Sequence, residues 1–186
     1  MALVHLTNMS LDGYLEDRDG SFDFGPMDDE LFATYTGMLR TVGTLLYGRR
    51  LYETMAVWET DPALAARSPL TADFAAAWTS PRKIVYSTTL ATATTADTRI
   101  ERTFDPVALR QLKADATLDL MVGGAYLAAQ ALRAGLVDEC ALVVWPWVVG
   151  GGKPAIPTDA GFSLELLDQR RFANGVLLLR YRPRPQ

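Results

Sequence analysis

Three times along this chain an apolar, strand-like run stops abruptly at glycine or small polar residues: Tyr47-Gly48-Arg49-Arg50, Tyr86-Ser87-Thr88-Thr89 and Val122-Gly123-Gly124-Ala125. Helical patterning lies between and after these runs. Strands that alternate with helices in this way pack as a mostly parallel sheet covered on both faces, because each crossover lays a helix across the sheet. Ligands of such sheets gather at the carboxyl ends of the strands.

The pattern along the chain fills in the rest. Residues 2–9 (ALVHLTNM) form a short buried strand, and Ser10-Leu11-Asp12-Gly13-Tyr14 follows it. Pro26 and Asp28 mark a helix start, with Leu31, Tyr35, Met38, Leu39 and Val42 at helical spacing. Thr44 to Tyr47 is a second strand, Leu51 to Trp58 a helix, Asp61 to Ser68 a loop or short turn, and Thr71 to Trp78 a further helix. Lys83 to Ser87 is the third strand, followed by an irregular Ala/Thr-rich stretch over 91–98. Asp105-Pro106 opens a helix with proline at its first position. Leu118 to Val122 is a strand, Ala125 to Ala134 a helix closed by Gly135, and Cys140 to Trp145 a strand. Gly150-Gly151-Gly152 reads as a flexible turn. Two last strands, Phe162 to Arg171 and Val176 to Arg182, join around Asn174-Gly175, a hairpin signal. The expected fold is α/β, one domain over residues 1–186, with a mostly parallel central sheet flanked by helices and a C-terminal antiparallel hairpin.

Several function classes fall away. A net charge of −4 argues against a basic nucleic-acid surface. His5 and Cys140, the single histidine and cysteine, cannot supply the three or four ligands of a zinc site, so no metal is expected. A Ser-His-Asp triad would need His5, which lies in an apolar run and reads as a satisfied core histidine. Cys140 has no partner for a disulfide, as expected of a reducing compartment. Met1 to Met9 has no basic leader, and the apolar run near Cys140 to Val149 falls short of the ~20 residues of a membrane span. A soluble, cytoplasmic protein with no membrane partner is the expectation.

Each junction carries a functional and a plain reading. Gly48 allows close approach of a ligand to the backbone, and Arg49 and Arg50 can grip phosphate oxygens; the plain reading is a turn with two solvated arginines. Gly123-Gly124 before a helix is what a pyrophosphate cradle needs, and also what a tight turn needs; it lacks the full G-x-G-x-x-G pattern. Ser87 and Thr88 can bond a ribose or close a turn. Gly150-Gly151-Gly152-Lys153 fails as a phosphate-binding loop, because Trp147 stands where its first glycine should be and Pro154 follows the lysine. Asp28, Asp29 and Glu30 suit a helix start whatever else they do. Asp12 can organise a turn or sit beside a cofactor. Trp145-Pro146-Trp147 is read as core or subunit interface.

In order, Ser10-Leu11-Asp12-Gly13-Tyr14, Leu46-Tyr47-Gly48-Arg49-Arg50-Leu51-Tyr52-Glu53, Lys83-Ile84-Val85-Tyr86-Ser87-Thr88-Thr89-Leu90, Val122-Gly123-Gly124-Ala125-Tyr126-Leu127, Gly135-Leu136-Val137-Asp138-Glu139, Gly150-Gly151-Gly152-Lys153 and Asn174-Gly175-Val176 resemble the dihydrofolate reductase-like family. The branch is similar to the C-terminal reductase domain of the bifunctional riboflavin-biosynthesis deaminase-reductase. The resemblance runs from Leu3 to Arg182.

It implies a dihydrofolate reductase-like fold, often a homodimer, with NADPH at the strand ends. Gly48, Arg49 and Arg50 would meet its phosphates, Ser87 and Thr88 its adenosine ribose, and Gly123, Gly124, Ala125, Tyr126 and Leu127 its pyrophosphate. Ser10, Asp12 and Tyr14 would lie by the nicotinamide and substrate, with Asp28 and Asp29 on the opposite wall. The expected activity is hydride transfer to a small polar substrate with a C=N or C=O bond, pterin-like or riboflavin-precursor-like. Asp12, Tyr14, Asp28, Asp29 or a bound water would deliver the proton, Asp29 being the first choice and Asp12 the second. Two departures matter. Leu51 replaces a usual threonine whose hydroxyl bonds phosphate, and Thr88 replaces a frequent arginine suited to a 2′-phosphate, so NADH is not excluded. The alternatives are a non-catalytic dinucleotide-binding module and a dimeric scaffold. The His-x-Glu and Pro-Cys-x-x-Cys signature of the deaminase half is absent.

Overall fold

The computed structural model describes residues 1–184. Strand β1 (Leu3–Ser10) leads into a short β2 (Tyr14–Glu16), helix α1 (Asp29–Leu39) and β3 (Val42–Gly48). Four helical segments follow: α2 (Arg49–Met55), α3 (Val57–Thr60), α4 (Pro62–Ala65) and α5 (Pro69–Thr79). Then come β4 (Arg82–Tyr86), β5 (Thr98–Glu101), α6 (Pro106–Asp115), β6 (Asp119–Gly123), α7 (Ala125–Arg133) and β7 (Glu139–Trp145). A two-residue β8 (Lys153–Pro154) and the hairpin β9 (Ser163–Arg171) and β10 (Leu177–Arg184) complete the order.

The main sheet runs β5-β4-β3-β6-β1-β7-β10-β9. Neighbours from β5 through β7 pair parallel, and β10 and β9 close the sheet antiparallel. The expected mostly parallel sheet with its antiparallel hairpin is therefore present. Alternation along the strands sends side chains to two helical layers. Leu45, Tyr47, Val85 and Met121 pack with Leu31, Tyr35, Phe74 and Trp78 of α1 and α5. Leu46, Ile84, Leu120 and Val122 pack with Leu109, Leu127 and Ala128 of α6 and α7. Burying each such leucine or valine contributes about 1.5–3 kcal/mol.

Local chemistry fixes where the helices begin. Asp28 caps α1, its Oδ1 accepting the Leu31 N–H at 2.7 Å. Ser68 and Thr71 form a reciprocal capping box on α5, and Asp105 caps α6 ahead of Pro106. The glycine of the predicted hairpin turn, Gly175, has φ +86°, a conformation glycine adopts freely.

The structure differs from the sequence-based expectation in four places. The stretch after Leu90 is irregular as expected, but β5 then adds a sixth parallel strand; its four residues are too short to show a period. The 61–68 loop contains α4, capped by Asp61 through the Ala63 and Leu64 N–H groups. Gly150-Gly151-Gly152 is a fitted turn, not a flexible one: all three have positive φ, and a Cβ on Gly152 would overlap the backbone of Glu16 and Asp17. The closeness follows from β2 pairing with β8, a ribbon too short to announce itself. His5 is fully buried, as predicted, but only half satisfied: Nδ1 lies 3.3 Å from the Val122 carbonyl and Nε2 has no partner. The β1–β7 register sets it beside Cys140, so its surroundings are largely apolar.

Candidate active site

The junctions meet because the strand registers bring them together. Tyr47 pairs with Gly123 and Gly48 pairs with Tyr86, so β4, β3 and β6 end side by side. Ser87, Gly48 and Gly123 thus share one carboxyl edge. Further along the same edge Ser10 pairs with Trp145, where β1 and β7 end. Two cavities of about 610 and 620 Å³ lie elsewhere, one by Arg82 and Asp97, the other under α1 by Val4 and Gly37.

Gly48 precedes α2 with φ −75° and ψ 160°, angles open to any residue, and a Cβ there would meet nothing within 4 Å. The fold itself does not demand glycine at 48, whereas close approach of an outside group would. Arg49 and Arg50 follow it, both exposed; Arg49 lies 3.8 Å from Glu53 one turn on. The glycine pair is different. A Cβ on Gly123 would collide with Leu51 of α2 and come to 3.3 Å of the Tyr47 ring, and Gly124 has φ +90°. No side chain caps α7, so the N–H groups of Ala125, Tyr126 and Leu127 are left to an outside acceptor. Leu127 is 4% exposed within the α6–α7 core, so only its backbone can face the groove. Tyr126 is 78% exposed.

Ser87 spends its hydroxyl on its own turn, accepting from Leu90 N–H at 2.9 Å and Thr89 N–H at 3.2 Å. Thr88 is exposed beside it. Arg102 holds the same turn by donating to the Ser87 and Leu90 carbonyls at 2.9 and 2.7 Å. Nothing in the sequence around Arg102 marked it. Lys153 was likewise passed over with the rejected phosphate-loop pattern. Its Nζ pairs with Glu16 at 2.9 Å and stands 5.5 Å from the centre of the Tyr126 ring, at the mouth of the glycine junction.

At the other end of the edge, Ser10 is buried and its Oγ accepts the Tyr14 N–H at 3.0 Å. Asp12 clamps the glycine turn: its two oxygens accept from Gly150 N–H at 2.8 Å and Val149 N–H at 3.2 Å. The neighbouring Ser10 hydroxyl and these N–H groups hold its carboxyl below the usual range. Of the acids that open α1, Asp29 is exposed and Glu30 pairs with Arg170 at 2.6 Å. Asp28 alone keeps an oxygen, Oδ2, that is buried and has no partner. On β1, Asn8 Oδ1 accepts from Tyr35 Oη at 2.6 Å and Trp145 Nε1 at 2.8 Å, and Phe24 packs 6.4 Å from the Trp145 ring. Trp145 is thus buried, whereas Trp147 is 54% exposed.

A mostly parallel sheet with helices on both faces and glycine junctions along one carboxyl edge defines an α/β domain. Residues 3–178 match the RibD C-terminal domain family, and the chain belongs to that family. It is 28% identical over 183 residues to the uncharacterized protein YyaP of Bacillus subtilis (strain 168), covering 93% of this chain and 90% of YyaP. Its fold is similar to that of a provisionally named riboflavin biosynthesis protein from Shewanella sp. PV-4, with a TM-score of 0.76, 19% identity and full coverage of both chains. It is also similar to RibD of Acinetobacter baumannii, with a TM-score of 0.69 and 16% identity over 98% of this chain and 58% of that one. Among the described residues no helix is long and apolar enough to cross a membrane.

Proposed function

We propose that this chain is an NADPH-dependent reductase that delivers hydride to a C=N or C=O bond of a small polar substrate, pterin-like or riboflavin-precursor-like. The observation that carries the reading is the shared edge of Ser87, Gly48 and Gly123, set by the Gly48–Tyr86 and Tyr47–Gly123 registers.

The residues present fit a dinucleotide. Gly48 leaves open space where a side chain would stand, and the α7 N-terminus is uncapped behind a glycine of positive φ. The N–H groups of Ala125, Tyr126 and Leu127 would hold the pyrophosphate, with Arg49, Arg50 and Lys153 supplying positive charge. Arg102 holds the third junction, whose own residue 88 is threonine, and would favour a 2′-phosphate. When bound, NADPH supplies hydride from the C4 position of its nicotinamide. The chain's own part is to orient the substrate, exclude water and hold a proton. Asp12 is committed to the glycine turn, and Tyr14, whose N–H donates to Ser10 Oγ at 3.0 Å, would lie near the substrate. The vacant buried oxygen of Asp28 supports it, ahead of Asp29, as the carboxyl that holds the proton.

A second reading, a dinucleotide-binding module without turnover, is favoured by Leu51, which presents methyl groups where phosphate would gain a hydroxyl. We take the working form to be a cytoplasmic homodimer. The sheet's outer strand β9, nine residues long, exposes Leu166 and Leu167 at 49% and 38%, and sedimentation would show a dimer.

The test is thermal unfolding with and without NADPH and NADH, followed by NADPH oxidation with pterins, flavin precursors and small carbonyls. A ligand at roughly 100 times its Kd adds about 2.7 kcal/mol. A shift with oxidation supports the reductase, and a shift without oxidation supports the second reading. No shift with either cofactor overturns both.

A further inference from the structure

We infer that Asn8 is a specificity-determining residue whose side-chain N–H pair reads a carbonyl oxygen on the substrate; this rests on the reductase reading above. Asn8 lies two residues before Ser10, at the carboxyl end of β1. It follows Val4 and Leu6 on the face that packs with α1. Its Oδ1 accepts two hydrogen bonds, from Tyr35 Oη at 2.6 Å and from Trp145 Nε1 at 2.8 Å.

These partners fix which way the amide points. An indole N–H only donates, so turning the amide over would set donor against donor at Trp145. Both lone pairs of Oδ1 are thereby used, and both N–H groups of Nδ2 are left over. Among the described residues no protein acceptor lies within hydrogen-bond reach of Nδ2. The buried side-chain atoms without partners are His5 Nε2 and Asp28 Oδ2; Nδ2 is not among them, so it reaches solvent.

The donor pair is thus held by a buried phenol and a buried indole on a central strand of the sheet. Tyr35 and Trp145 need only an acceptor oxygen. The amide adds two outward donors. They select a ligand that offers an acceptor, such as the ring carbonyl of a lactam heterocycle, and disfavour one that offers an amino group there.

The test uses pterin and diaminopteridine, in which an amino group replaces the ring carbonyl. Each is titrated calorimetrically into the full chain saturated with NADP⁺. The wild-type protein is expected to bind pterin about tenfold more tightly, the size of one well-made hydrogen bond to a fixed partner. Asn8→Asp keeps the acceptor for Tyr35 and Trp145 but replaces the N–H pair with an oxygen, and is expected to reverse the preference. Trp145→Phe frees the amide to turn and is expected to cut the preference to roughly threefold or less, a check that stands if Asn8→Asp does not fold. Equal affinity of the wild-type protein for the two probes, binding of neither, or an unchanged preference in the folded variants overturns the assignment. Thermal shift with NADPH is read on the same samples. If the shift persists while the preference does not change, only the role of Asn8 fails. If the wild-type protein shows no shift, the reductase reading fails.

Discussion

The side chain of Leu51, in the first turn of α2, lies directly over Gly123 at the end of β6, so that a Cβ at position 123 would collide with its Cδ2. The Tyr47 ring stands on the same side, 3.3 Å from where that Cβ would be. Two junctions that are far apart in sequence are therefore interlocked. Leu51, at the start of α2, is the residue that a side chain at position 123 would have to displace.

Gly123→Ala is expected to cost about 1–3 kcal/mol, the usual penalty for overfilling a packed site. Leu51→Ala in the same chain should recover much of that loss, because the Leu51 methyl is the nearer obstacle. Urea unfolding of the two single variants and the double variant measures this coupling. Leu51→Thr should tighten NADPH binding, since a hydroxyl replaces methyl groups beside the N-terminus of α2.

Asp28→Asn separates capping from chemistry. Asparagine caps a helix about as well as aspartate, so the melting temperature should change little. It cannot give up a carboxyl proton, so turnover should fall by roughly 10²–10⁴. Asp29→Asn, at an exposed neighbouring position, should leave turnover within about twofold of wild type by the same reasoning. Steady-state kinetics on the substrate found in the oxidation screen decides between the two acids.

His5 makes stability depend on pH. Burial lowers its pKa from the usual 6.5, with the Val122 carbonyl opposing the shift. The folded state keeps the ring neutral, while the unfolded chain takes up a proton below pH 6.5. The unfolded state then binds more protons, so stability is full above that pH and falls as the pH drops through it. His5→Gln should flatten the difference in melting temperature between about pH 7.5 and about pH 5.5 that the wild-type protein shows.

Lys83 is fully buried beneath the Trp78 ring, donating to the Thr79 carbonyl at 3.0 Å and to Glu59 at 3.4 Å. Glu59 in turn accepts the Ala96 N–H at 2.6 Å. Glu59→Ala removes the carboxylate from a buried ammonium and should cost about 3–5 kcal/mol. Lys83→Met, which fills similar volume without a charge, should cost less. Chemical denaturation of both variants measures the order.

Much of the fold was legible because its signals are local. Strand runs such as Leu45–Tyr47 and Ile84–Val85, the Asp105-Pro106 helix start and the Asn174-Gly175 turn each declare themselves within a few residues. The elements missed were β5, β2, β8 and α4, whose two to four residues carry no readable period. The candidate site was legible in part for the same reason. Glycine junctions are local, but Arg102, Lys153 and Asn8 enter through contacts with residues 12 to 137 positions away.

By itself the sequence determined the alternation of strands and helices, the glycines at the junctions, and the lack of histidine and cysteine for a metal centre, since each is a property of neighbouring residues or of composition. Only the tertiary structure decided that Gly48, Ser87 and Gly123 share an edge, that Leu51 sits on Gly123, and that Asn8 is turned by Trp145. Those facts depend on strand register and crossover packing, in which residues distant in the chain set each other's positions.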